Sequence, residues 1–215
     1  MKVWSRKDWK ALFQGESQIP ERSVSEVCFA VIDSETTGLN PSKDRILSFG
    51  GVKIIDGRIH VRDTLEIFIA QEHFDASSVP IHGILKTGPN ERISEKNALA
   101  QLGAYLEDTV LVGHHIGFDL EMIRQAQTRH GLPLLENIAL DTGRLYRKTL
   151  LQTPLVPKKP SYSLDELAKK YDISCKDRHT ALGDAYITAL AFMHILGQLN
   201  IKPGTSLREL LRIAR

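Results

Sequence analysis

The run Phe29-Ala30-Val31-Ile32-Asp33-Ser34-Glu35-Thr36-Thr37-Gly38-Leu39 constrains this chain more than any other stretch. Its apolar start, Phe29 to Ile32, reads as a buried strand. That strand then carries acids at Asp33 and Glu35. Buried carboxylates are costly unless paired or bound to a metal. Residues two apart on an extended backbone leave from the same face, so the two acids converge. A pair of oxygen donors at the end of a central strand suits a hard divalent cation. Thr36-Thr37-Gly38 follows as a polar, turn-prone exit whose backbone N–H groups can meet a ligand. A strand that merely ends in an acidic turn would look the same, so the remaining chain has to decide.

Periodicity predicts the elements around this strand. Ile46 to Ile55 and Arg58 to Ile69 read as two strands joined by Asp56-Gly57, a strong hairpin signal. The first three strands therefore form an antiparallel meander. Pro80 to Ile84 reads as a loop, and Ile93 and Ser94 open a helix for which Ser94 is the N-cap. Val110 to His114 is a short, continuously apolar strand, and Gly117 to His130 a helix. A short strand, Ile138 to Leu140, leads to Asp141. Helices follow at Arg144 to Leu151, from the capping box Ser163-Leu164-Asp165-Glu166, and over Thr180 to Leu199. The expected fold is α/β: a mixed sheet, antiparallel strands first and parallel strands after, with helices on both faces.

With 215 residues, 42% of them hydrophobic and 25% charged, the chain has room for one domain plus extensions. Residues 1–25 form a helical appendage with Trp4, Trp9 and Phe13, which either docks on the main domain or faces a partner. Residues 26–200 are the main domain, and 201–215 a tail with a short helix. No apolar run is long enough for a secretory signal or a membrane span, so a cytoplasmic location and no membrane partner are expected. The two cysteines, Cys28 and Cys175, have no metal-ligand spacing and fit a reducing compartment. A net charge of +2 admits a nucleic-acid partner without demanding one.

Two further acids matter. Asp119 follows Gly113-His114-His115-Ile116-Gly117-Phe118, where a buried strand passes into a helix. It is either a helix-start acid favoured by the macrodipole or part of a site at the strand ends. Asp184 sits in His179-Thr180-Ala181-Leu182-Gly183-Asp184-Ala185, more than a turn inside its helix. Ala181, Ala185 and Ala189 make a small-residue face that can approach a sheet closely and bury that acid. Gly183 costs a helix about 1 kcal/mol relative to Ala, which points to a packing or access reason. Asp33, Glu35, Asp119 and Asp184 thus offer all-oxygen donors, suited to Mg²⁺ or Mn²⁺ rather than Zn²⁺.

These residues resemble a known family. Asp33-Ser34-Glu35-Thr36 resembles the first motif of the DnaQ-like DEDD 3′–5′ exonucleases, which include proofreading subunits of bacterial DNA polymerase III. Phe118-Asp119 resembles the end of the second motif. His179 followed five residues later by Asp184 resembles the third motif of the histidine subclass, and Ile81-His82-Gly83-Ile84 a loop segment of that subclass. The resemblance covers about residues 27–196, in order. It implies a ribonuclease-H-like fold and phosphodiester hydrolysis from the 3′ end of DNA or RNA, with two divalent metal ions, Mg²⁺ or Mn²⁺. Asp33 would bridge both ions, Glu35 and Asp184 would complete their inner shell, and Asp119 would act at the second, directly or through water. His179 would be the general base, since neutral imidazole is available near pH 7. Thr36, Thr37, Gly38 and Leu39 would pack on the terminal nucleotide, and His82 and Phe118 would flank a base.

One departure stands out: the second motif often carries Asn where this chain has His115. Its imidazole still donates one hydrogen bond, so the change bears on the substrate strand more than on the metals. Lys43, Arg45, Arg144, Arg147, Lys158, Lys159 and Arg178 are candidate phosphate contacts or ordinary surface charges. A single-stranded DNA or RNA 3′ end is the expected partner, and a DNA polymerase subunit is a further candidate. The alternative reading is a catalytically inactive nucleic-acid-binding or scaffold domain of the same fold. The loss of any of the acids would have favoured it.

Overall fold

The computed structural model describes residues 22–72, 79–85, 90–150, 159 and 161–215, and at 81 and 82 the backbone alone. The helical appendage with Trp4, Trp9 and Phe13, the side chain of His82, and Lys158 lie outside the described residues. Strand β1 (Phe29–Thr36) is the third from one end of the sheet and pairs antiparallel with β2 (Ile46–Ile55). The Asp56-Gly57 turn, with positive φ at both residues, returns the chain into β3 (Arg58–Ala70). On the other side of β1 lie β5 (Val110–Gly113) and β6 (Ala139–Asp141), both parallel to it in sequence of pairing. With β4 (Arg92–Ser94) outermost, the order is β4-β3-β2-β1-β5-β6, a six-stranded mixed sheet.

The outermost strand, β4 (Arg92–Ser94), pairs parallel with β3 at Phe68 to Ala70. The sequence placed Ile93 and Ser94 at a helix start. Three residues are too few to display a period of two, and their pairing depends on where β3 happens to end. Ser94 nevertheless caps the next helix, its hydroxyl accepting from the Asn97 N–H at 3.3 Å. A short helix, α1 (Val79–His82), stands where a loop was expected.

Helices cover both faces. The odd-numbered residues of β1, Phe29 and Val31, pack with Val52, Val112, Leu145, Leu167 and Phe192. These partners bring α4 (Thr142–Thr149), α5 (Leu164–Lys170) and the long α6 (Ala181–Gln198) onto one face. The last helix, α7 (Leu207–Ala214), buries Leu207 and Leu210 in the same cluster. The even-numbered Ala30 and Ile32 face α2 (Glu95–Tyr105) and α3 (Gly117–Arg129) through Ala98, Leu102, Met122 and Ile123. This alternation, with both faces apolar, explains why the start of β1 is a continuous hydrophobic run.

Candidate active site

The alternation that builds the core also places the acids. Asp33 and Glu35 continue the odd face of β1, the face covered by α6. Asp184 is the fourth residue of α6, nearer the helix start than the sequence suggested. Carboxylate oxygens of Asp33, Glu35 and Asp184 lie within 4.8 Å of one another. Ser34 points to the opposite face. There its hydroxyl donates to Asp119 Oδ1 at 2.6 Å, holding a buried carboxylate in the first turn of α3. Asp119 thus approaches from the other side of the sheet and is not one of the three acids that share the tightest cluster. Its charge still reaches Asp33, where it is a cause of a raised pKa second only to burial.

Two glycines make this approach possible. Gly50 pairs with Asp33 across β1 and β2 and lies beneath the start of α6. A Cβ there would stand 2.1 Å from the Ala181 carbonyl carbon and the Leu182 nitrogen. Gly183 turns toward the preceding loop, where a Cβ would stand 1.9 Å from the Asp177 carbonyl oxygen. This is the packing reason anticipated for a glycine inside the helix. Gly50→Ala is expected to push α6 off the sheet, costing roughly 3 kcal/mol and weakening metal binding together with stability. Thermal unfolding and manganese calorimetry on the same sample check both.

Crowding sets the protonation of the acids. Burial and then Asp119, Asp184 and Glu35 push Asp33 well above the usual carboxylate range. Burial and then Asp184 push Glu35 up to about 7, with Arg178 opposing. Burial raises Asp119 to about 6, while the Ser34 hydrogen bond holds it back. One cation sits among them. Arg178 forms ion pairs with Asp184 and, at 2.6 Å, with Asp165 on α5. Burial works against its charge, but the two carboxylates outweigh burial and raise its pKa. The donor set fits a hard divalent cation: every ligand atom is a carboxylate oxygen, the group is crowded, and each added positive charge relieves it.

The histidines divide by role. His114 is pinned: its Nε2 donates to the Tyr162 carbonyl at 2.9 Å, and Nδ1 lies 2.9 Å from the Thr142 hydroxyl. Burial, then its neighbour His115, lowers its pKa to about 4. His115 and His179 are exposed, and both adopt the left-handed backbone conformation, φ +59° and +65°. The other non-glycine residues with positive φ among the described residues are Asp or Asn, which tolerate that region in turns. The His179 backbone N–H donates to Asp184 Oδ1 at 3.3 Å, so the residue is tethered to the cluster by its main chain. His115 Nε2 lies 3.1 Å from the Ser161 hydroxyl.

The remaining expected residues lie on the loop after β1, at the start of α3 and beside the cleft. Leu39 is 85% exposed at the end of the β1 turn. Thr36 donates to the Gly38 carbonyl at 2.8 Å. Thr37 is buried, and its hydroxyl bonds Asp44 Oδ1 and accepts from the Arg45 N–H, both at 3.0 Å, so its side chain holds the loop. Phe118 is half-buried against the α2–α3 face of the core. Arg45 folds back on the carbonyls of Lys43 and Asp44, and Lys159 pairs with Glu166. A cleft of about 460 Å³ opens over the acids, walled by Asp33, Asp184, Arg178, His115 and Lys159. Sequence reasoning missed Ser34 and Gly50 as parts of the site. Ser34 carried a signal, since it lies between two same-face acids and must face the other way.

Known proteins share this architecture. Over 209 residues the chain is 31% identical to the DNA polymerase III subunit epsilon-like protein of Rhodobacter capsulatus, which covers 94% of this chain and 28% of that protein. It is 30% identical over 190 residues to the PolC-type DNA polymerase III of Thermotoga petrophila, covering 88% of this chain and 13% of the relative. It therefore spans under a third of the length of either. Among solved structures, E. coli Exonuclease I in complex with a dT13 oligonucleotide matches with a TM-score of 0.70 at 18% identity, over 81% of this chain and 42% of that one. Exonuclease X in complex with 5′ overhanging duplex DNA matches with a TM-score of 0.62 at 22% identity, over 81% and 95%. The family model for RNase T, described as exonuclease, matches residues 30–192, a span that takes in all four acids, nearly the whole sheet and most of the helices packed on it. The chain belongs to that exonuclease family.

Proposed function

We propose that this chain is a metal-dependent 3′–5′ exonuclease of the DEDD histidine subclass, releasing nucleoside monophosphates from the 3′ end of a DNA or RNA strand. The observation that carries this reading is the meeting of Asp33, Glu35 and Asp184 at the end of β1, with Asp119 beside them. Asp33, Glu35 and Asp184 would hold two divalent ions, Mg²⁺ or Mn²⁺, with Asp119 contributing at the second. Ions bound there would offset the charge of the scissile phosphate and lower the pKa of an attacking water. His179, exposed and tethered to Asp184, takes the proton from that water at its imidazole. Leu39 and Phe118 border the space for the terminal base, and Thr37 locks the loop that carries Leu39. His115, beside Ser161, positions the strand where relatives of the family often have Asn.

An inactive binding domain finds less support, because every acid is in place and a scaffold has no use for mutually repelling buried carboxylates. The two cysteines are free, and among the described residues no helix is long and apolar enough to cross a membrane. A cytoplasmic setting and a DNA polymerase partner complete the proposal, the latter resting on the polymerase names of the relatives.

A test uses oligonucleotides labelled at either end, as DNA and RNA, single- and double-stranded, with Mg²⁺, Mn²⁺ or EDTA. A 5′ label should yield a ladder that shortens from the 3′ end, a 3′ label should leave at once as a mononucleotide, and EDTA should stop both. Cleavage that persists in EDTA, or a ladder from the 5′ end, overturns the proposal. His179→Ala is expected to slow hydrolysis by about 10²–10⁴-fold while manganese affinity, read by calorimetry, is retained.

A further inference from the structure

A second hollow, of about 270 Å³, adjoins the acid cleft and shares His115 and Ser161 with it. Arg144 and Arg147 stand one turn apart on α4 and line one wall; Gly117, in the first turn of α3, lines the other. Residues three apart on a helix project from the same face, so both guanidinium groups serve one space. Both are exposed, and among the described residues no ion pair engages Arg144. A single acid, Asp141, lines the hollow, and backbone amides already occupy it. Its Oδ1 accepts from the Arg144 N–H at 2.8 Å and its Oδ2 from the Ile116 N–H at 3.1 Å. The N-cap of α3, Ile116, makes no side-chain cap hydrogen bond, and the Phe118 N–H donates to the His115 carbonyl at 3.0 Å. Gly143 keeps the floor open, since a Cβ there would come within 3.3 Å of the His115 ring.

Resting on the exonuclease reading, we propose that this hollow is a second phosphate subsite, which holds a phosphodiester group of the strand away from the bond being cut. The acid cleft repels a polyanion until cations fill it. A basic hollow opening from the same cleft gives the strand an anchor that does not depend on those cations. His115 and Ser161, common to both spaces, form the passage between them. The site reads charge and spacing and takes DNA and RNA alike, because its cationic groups meet phosphate oxygens and no base edge. It also assigns the Arg144 and Arg147 charges to binding, where the sequence left them undecided.

The test compares the wild type with an Arg144→Gln/Arg147→Gln variant and with a charge-matched Lys96→Gln/Lys170→Gln variant, whose changes lie on α2 and α5. Glutamine keeps the helix propensity of α4, and unchanged thermal unfolding verifies that the variant folds. The affinity of a fluorescent strand of about eight nucleotides is measured by anisotropy in EDTA, across a salt series. The kcat/KM for that strand and for a dinucleotide is measured in Mn²⁺. The arginine variant should bind the strand about tenfold more weakly, with the salt slope reduced by about 1–2. It should also lose a similar factor in its preference for the strand over the dinucleotide, the loss falling on KM.

Equal loss in the lysine variant means a bulk charge effect and overturns the subsite, as does wild-type affinity and salt slope in the arginine variant. Inorganic phosphate that competes with the strand in the wild type, while strand length makes no difference, identifies a free-anion site instead and also overturns it. Binding that weakens as expected in the arginine variant, together with a wild type that cleaves neither substrate, supports the subsite and sinks the exonuclease reading, so the two failures are separable.

Discussion

Asp184→Asn is expected to lower kcat/KM about a thousand-fold or more and manganese affinity by at least about tenfold, while the chain keeps its fold. The amide has nearly the same shape as the carboxylate, so the small-residue face of α6 still fits over Gly50. What is lost is one of the three oxygen anions within 4.8 Å of each other. Asp165→Asn is the informative comparison. It also removes a carboxylate partner of Arg178, but one on α5 that is largely exposed and outside the cluster. Its effect should be small, as for other exposed ion pairs. Near-normal hydrolysis by Asp184→Asn, or an equal loss in both variants, would place the chemistry elsewhere.

Between pH 4.5 and 8, without metal, Glu35→Gln should gain on the wild type by about 3 kcal/mol. The sign follows from the direction of the shift. Glu35 holds its proton up to about pH 7 in the folded chain, against 4.5 when unfolded. The folded chain therefore binds more protons than the unfolded chain across that interval. The wild type has its full stability below about pH 4.5 and loses this part as pH rises through about 7. Glutamine does not ionise and loses nothing. Asp33 and Asp119, both raised, lower the stability of both proteins in the same direction as pH rises.

Divalent metal offsets most of this difference between the two proteins. It binds the deprotonated acids, so binding releases protons and strengthens with pH. At about one hundred times its dissociation constant it returns about 2.7 kcal/mol to the wild type and little to the variant. Thermal unfolding in EDTA and in Mn²⁺ at both ends of the range reads four values for each protein. A wild type that does not weaken relative to Glu35→Gln as pH rises in EDTA would refute the crowding of these acids.

Much of the site was legible in β1 alone. The step from Phe29 and Val31 to Asp33 and Glu35 keeps one face by a period of two, and the structure puts that face under α6. The caps at Ser94 and Ser163 and the Asp56-Gly57 turn also marked element ends, because their chemistry is local. Other features had no local trace. The edge strand β4 owes its existence to the end of β3, and α1 to a short helical turn in a stretch that read as loop. Arg178 looked like one surface cation among several. Only packing of α5 beside α6 encloses it between Asp165 and Asp184.

The sequence by itself determined which residues carry acid and imidazole, in what order, and which face of β1 the first two acids share, because side-chain direction along a strand follows from backbone geometry. Only the tertiary structure decided that Asp184 meets them, through the gap left by the missing side chain of Gly50, and that Asp119 arrives from the opposite face on a hydrogen bond from Ser34. The raised pKa values belong to the second kind as well. A carboxylate is ordinary in the chain and becomes a reluctant anion once folding removes its water and sets other anions beside it.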